Sequence, residues 1–336
     1  MLGFLKQPKP VAASMAVAGK PKIAAFGKLP IRADFIKLNV VEREIRELDG
    51  WVQEGYALIS RRLNGAQGEQ AFPSAGIHHL VFSATEERRP VLATIGPGSD
   101  QSGRWYPFLI STVTQIPYLK ETQAAVPVVY QRFYQQSASV IGQRWKTEPL
   151  DILLGCLETI AGECHQDERS QAVKQELGLL RATSVDCIHE LAAAYGDTAL
   201  FYQGVCDLLA NVMRRGPART GWGIRLPLPG GEHGQVCLVF WLRLIDSLLG
   251  GNWSANYFWR WGQEGAQGQL ILFFRRVPPS FLPYLFDPTL RDGNVQTLSD
   301  MLRGTVTPSQ RARDLAALEQ GSLLDLLSRF VSGGRL

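Results

Sequence analysis

Apolar positions along the chain fall into two patterns. Short, nearly continuous apolar runs occur at Lys22 to Phe26, His79 to Ala84, Val91 to Ile95 and Pro107 to Val113. Runs of that length, bounded by turn residues, read as buried strands. A longer stretch, Glu42 to Leu63, carries Ile45, Leu48, Val52, Leu58 and Ile59 near helical spacing. A block of helical pattern follows: Val128 to Trp145 behind Pro127, then Leu150 to Ala161, Ala172 to Leu191 and Ala199 to Arg214. Gly216-Pro217 closes the block. Strands return at Gly223 to Leu228, Asn256 to Trp261 and Gln269 to Arg275. Between them Val236 to Leu249 predicts one buried helix, which Gly250-Gly251 ends. Two amphipathic helices, Leu298 to Leu302 and Gln310 to Phe330, complete the pattern, the second behind Pro308. Strands on both sides of a helical block predict an α/β fold, with a mixed sheet and helices packed on it.

This pattern divides the chain. Residues 1–20, rich in Lys, Pro, Ala and Gly, read as a loose tail. An α/β domain is expected over 21–295, with an N-terminal half at 21–115, a helical insertion at about 116–215 and a C-terminal half at 216–295. Residues 296–336 form a short helical C-terminal arm, either a docking arm or a cover.

Composition narrows the class. The 336 residues are 45% hydrophobic and 20% charged, enough to bury a sizeable core. The net charge of +4 is spread along the chain. Its basic clusters are the pairs Arg61-Arg62, Arg88-Arg89, Arg214-Arg215 and Arg275-Arg276, and no nucleic-acid stripe is formed. Five cysteines at irregular spacing, most within apolar runs, point to a reducing compartment. Met1 to Leu5 is too short for a signal core, and no apolar run is long enough for stable membrane insertion.

Candidate chemistry is concentrated in Gly98-Ser99-Asp100-Gln101-Ser102-Gly103-Arg104-Trp105-Tyr106-Pro107. It approaches the phosphate-loop pattern, but Arg104 stands where that pattern has Lys and Trp105 where it has a hydroxyl. A strand rather than a helix follows, so no helix N-terminus would hold an anion. The alternative is a polar turn in which Asp100 and Arg104 brace each other, with Gly103 free to take φ > 0. No cofactor motif appears. Cys164-His165 and Cys187-x-His189 lack metal-site spacing, and His78 and His79 point to opposite faces of one strand. Ser99 and Ser102 lack a nucleophile-elbow context. Asp34, Asp100 and Asp246 have no positioned partner in sequence, so no enzyme is expected. Tyr257, Trp259 and Trp261 share one strand face; Trp259 reads as core and Trp261 is open.

A second segment pairs with the first. Phe26-Gly27-Lys28-Leu29-Pro30-Ile31-Arg32-Ala33-Asp34-Phe35 follows the first strand, and Trp51 lies in the helix behind it. The two segments together resemble the TagF (ImpM) family of type VI secretion accessory proteins. The matching positions are Gly27, Lys28, Leu29, Pro30, Asp34, Phe35, Ser99, Asp100, Gly103, Arg104 and Pro107, with Tyr106 keeping the family's aromatic bulk. Ala33 departs from a family glycine, Gly98 from a proline, and the spacer between Ser99 and Asp100 is missing. Leu226 to Pro229, Phe240 to Leu242, Tyr257 to Trp259 and Arg275 to Pro279 look like the family's second half.

The resemblance implies a three-layer α/β/α sandwich. It implies a cytoplasmic factor restraining type VI secretion after translation by binding the system's forkhead-associated-domain scaffold, in a threonine kinase and phosphatase pathway. Other cytoplasmic or baseplate components are possible partners. The two motifs would lie together at strand ends as one polar, aromatic-edged surface. The alternative is a small-molecule or anion-binding module derived from a degenerate α/β enzyme, with Lys28 and Arg104 facing one cleft.

Overall fold

In a computed structural model, the described residues are 22–332 apart from 63–74, 85–88, 115–122, 147, 163–165, 252, 255, 263–266, 288–289, 291–292 and 304–306. The tail 1–20, Leu63, Arg88, and the Cys164-His165 pair lie outside them.

The first three apolar runs fold as β1 (Ala24–Gly27), β3 (His78–Phe82) and β4 (Val91–Gly96), and the fourth as β5 (Phe108–Val113). A strand absent from the sequence reading, β2 (Ile36–Leu38), turns back on β1. Helix α1 (Arg43–Arg62) follows. The second half adds β6 (Gly223–Leu228), β7 (Asn256–Arg260), β8 (Gly268–Phe273) and β9 (Val295–Thr297). All nine join one sheet in the order β2-β1-β5-β4-β3-β7-β8-β6-β9. The pairing is antiparallel except between β6 and β9, so the sheet is mixed, as expected.

The helical block comprises α2 (Val126–Val129), α3 (Gln131–Gly142), α4 (Leu150–Glu158), α5 (Gln166–Ala182), α6 (Asp186–Ala193) and α7 (Thr198–Arg215). Beyond it lie α8 (His233–Leu249), the short α9 (Pro283–Phe286), α10 (Leu298–Leu302), α11 (Gln310–Ala316) and α12 (Leu323–Ser332). Three helices predicted as continuous are broken. Val128 to Trp145 divides at Tyr130 and stops at Gly142, leaving Trp145 as a buried side chain beyond it. Ala172 to Leu191 divides around Ser184, and Gln310 to Phe330 around Ser322.

The two faces of the sheet carry separate cores, because neighbouring strand residues point to opposite sides. One face packs on α1 and α9. There Trp51 stacks on Phe258 at 5.6 Å and donates its indole N–H to the Val277 carbonyl at 3.0 Å. The other face packs on the helical block, α8 and the C-terminal helices. Helices on both faces make a three-layer α/β/α arrangement. Phe330 of α12 is fully buried against Tyr202 and Phe240, so the C-terminal helices are a cover that shares the core.

Candidate functional site

The antiparallel pairing of β1 with β5, and of β5 with β4, brings two loops to one end of the sheet. The first, residues 28–35, leaves β1; the second, residues 97–107, joins β4 to β5. Gly27 sits where they begin, with φ 124°. A Cβ there would lie 2.0 Å from the Pro107 carbonyl oxygen, so only glycine lets the two loops approach this closely.

Asp100 ties the loops together. Its carboxylate is buried and takes the Lys28 ammonium at 2.9 Å and the Arg104 Nε at 2.7 Å, both on Oδ2. Its Oδ1 accepts from the Ser102 N–H at 2.9 Å, the Ser102 hydroxyl at 2.6 Å and the Arg104 N–H at 3.1 Å. Burial works against the charge, but the hydrogen bonds from Ser102, Lys28 and Arg104 outweigh it and hold the carboxyl well below the usual carboxylate range. The backbone repeats the connection: Gln101 N–H donates to the Arg32 carbonyl at 3.1 Å. Arg104 Nη2 reaches the Ala33 carbonyl at 2.9 Å, in the first loop. Gly103 takes φ 80°, as the turn requires.

Aromatic rings line the edge of this bracket. Phe35 meets Tyr106 edge-on at 4.8 Å, and Tyr106 meets Tyr56 of α1 at the same distance. The Lys28 ammonium lies 5.0 Å from the Phe35 ring centre, within cation–π range. Tyr56 donates its hydroxyl to the Trp105 carbonyl at 2.5 Å. Burial, with the charge of Asp49, pushes the Tyr106 phenol far up, so it stays protonated.

The structure therefore brings all the sequence-predicted residues to one place but gives them two roles. Gly27, Lys28, Leu29, Asp100, Tyr106 and Pro107 are buried and shape the loops. Pro30 and Ser99 are half-buried, while Asp34, Phe35, Gly103 and Arg104 face outward. Half of the Phe35 surface is exposed, as is 64% of the Arg104 side chain. Lys28 and Arg104 share one carboxylate rather than facing an open cleft. Ser102, Tyr56 and the Ala33 carbonyl complete the bracket and were not among the predicted site residues. Ser102 carried a signal, because Asp-x-Ser is a spacing at which an Asp side chain bonds the backbone two residues on.

A carboxylate with five donors has no lone pair free to act as a base, so Asp100 holds structure. Elsewhere, Cys156, Cys187, Cys206 and Cys237 are free thiols. Among the described residues no three His, Cys, Asp or Glu side chains gather as a metal site, and no helix is long and apolar enough to cross a membrane.

Residues 24–155 match the TagF N-terminal domain family, described as type VI secretion system-associated. This part of the chain is a TagF N-terminal domain. The Asp100 bracket and both loops lie within it. No curated protein matches the sequence. Among solved structures, PA0076 from Pseudomonas aeruginosa PAO1 is similar over 46% of this chain and 78% of that one, at 16% identity and a TM-score of 0.35. The TagF domain makes this a type VI secretion-associated protein.

Proposed function

We propose that this TagF protein is a cytoplasmic, post-translational repressor of type VI secretion that captures the system's forkhead-associated-domain scaffold stoichiometrically, without catalysis. The observation that carries this reading is the outward pair Phe35 and Arg104, held on two loops that Asp100 locks together. An aromatic ring beside an arginine on a rigid support is what interface anchors use. Locking the loops beforehand lowers the ordering cost of binding. Arg104 uses Nε and Nη2 internally, which leaves guanidinium N–H groups directed outward for a partner's acceptors.

The test is a pull-down of the purified forkhead-associated scaffold with wild type, Phe35→Ala and Arg104→Ala, with folding checked by circular dichroism. Each exposed-residue variant is expected to weaken capture at least about tenfold, the loss typical of an interface anchor. Undiminished capture by both variants moves the interface elsewhere. Absence of capture by wild type, with secretion unchanged on overexpression, overturns the reading.

A further inference from the structure

A cleft of about 510 Å³ opens on the helical face of the sheet, between α3 and the first turn of α8. None of the residues of the loop pair lines it. Its floor is aromatic. Trp259 and Trp261 lie 6.4 Å apart on β7 and just beyond it, Tyr134 of α3 meets Trp259 edge-on at 4.7 Å, and His79 of β3 sits 5.3 Å from Trp259. Tyr134 donates its hydroxyl to the Leu80 carbonyl, and His79 Nδ1 pairs with the Thr94 hydroxyl. The Tyr134 hydroxyl is thereby committed, so that ring presents carbon to the cleft. Trp261 is only half-buried and is the ring most open to a ligand.

The rim is polar and, among the described residues, lacks positive charge. Gln131, Gln135 and Ser139 stand along α3, one and two turns apart, on the same face. Glu232 and Gln235 face them from the start of α8. Among the described residues no Lys or Arg lines the cleft, and the carboxylate of Glu232 would repel an anion. Amides and a hydroxyl both donate and accept, while a carboxylate accepts only. A ligand matching this rim must offer donors as well as acceptors. A polyproline strand offers carbonyl acceptors alone and would leave Glu232 facing oxygen. A sugar hydroxyl does both, and the carbon-bearing face of a sugar ring matches an aromatic floor. The Trp259 indole N–H is buried and has no acceptor among the described residues.

We infer that this cleft is a binding site for a neutral sugar ring, stacked on Trp261 and held by the amides of Gln131, Gln135 and Gln235 and the carboxylate of Glu232. The site is independent of the scaffold-capture surface, and its failure would leave that reading untouched.

Saturation-transfer NMR and calorimetry on the full chain test it, with glucose, N-acetylglucosamine and maltose as probes. Choline, a decaproline peptide and inorganic phosphate form the comparison arms. At least one sugar is expected to bind saturably, with ring protons receiving saturation. Trp261→Ala should weaken it about tenfold, as expected when an aromatic contact is removed. Gln135 is exposed on α3, so Gln135→Ala keeps the fold, and a several-fold loss there supports the site even if Trp261→Ala unfolds. No saturable sugar binding up to about 10 mM, the weak end of specific recognition, overturns the proposal. So does sugar binding that Gln135→Ala leaves unchanged, or binding of choline, decaproline or phosphate when no sugar binds.

Discussion

At the scale of single residues, Gly27 and Asp100 decide whether the motif surface exists. Gly27→Ala would need its Cβ where the Pro107 oxygen already lies, at a φ that side chains rarely adopt. A loss of at least about 3 kcal/mol is expected, readable as a lower urea midpoint with an unchanged slope. Asp100→Ala strands the Lys28 ammonium, which is 7% exposed, without its carboxylate. It should lower Tm more than Arg104→Ala, because the guanidinium of Arg104 is largely in water already. The pairing of Asp100 with Arg104 was legible, since a four-residue polar turn closed by Gly103 brings them together. The bond from Lys28 was not. It joins residues 72 positions apart, and only the pairing of β1 with β5 supplies that proximity.

At the scale of elements, the errors share a cause. The predicted helix Ala172 to Leu191 breaks at Ser184, and Gln310 to Phe330 breaks at Ser322. These breaks bond to each other: Val185 N–H donates to the Gly321 carbonyl, and Leu323 N–H to the Thr183 carbonyl. Apolar periodicity runs through both points, so it could not show them. The local signal was capping, since Ser322 and Asp325 hydrogen-bond reciprocally in the spacing that starts a helix. Strand β2 was missed because three residues are too few for a pattern. The same packing makes α12 a structural part of the sandwich. Phe330→Ala should cost about 3–5 kcal/mol, as removal of a buried aromatic ring does, measured by chemical denaturation. A loss under about 1 kcal/mol would show the C-terminal helices to be dispensable.

At the scale of the molecule, the cores on the two faces of the sheet set the response to acid. Burial lowers both His78 and His79 to about 3, from an ordinary value of 6.5, and at His78 the charge of Arg260 adds to it. Between those values the unfolded chain binds protons that the folded chain refuses, so stability falls as pH drops from 6.5 towards 3. Each histidine contributes a loss of up to about 1.4 kcal/mol per pH unit within that window. The Asp100 carboxyl, held low, adds a further loss below the ordinary carboxylate range, as pH falls towards its folded value. Thermal melts from pH 7 to pH 4 should show a steep fall that His79→Phe flattens. An unchanged slope in that variant would assign the acid response to other groups. The opposite orientation of the two histidines was legible from strand alternation, whereas their burial depended on which helices cover each face.

The position of β3 has a consequence for any shortened form of the protein. The family match ends at residue 155 and takes in five strands, yet β3 pairs with β7, which lies beyond it. All five residues of β3 are buried. A fragment stopping at 155 would leave His79, Leu80 and Val81 of β3 without their strand partner, an open apolar edge of the kind on which chains add to one another. Such a fragment would be selected for self-association before it could be selected for binding anything else.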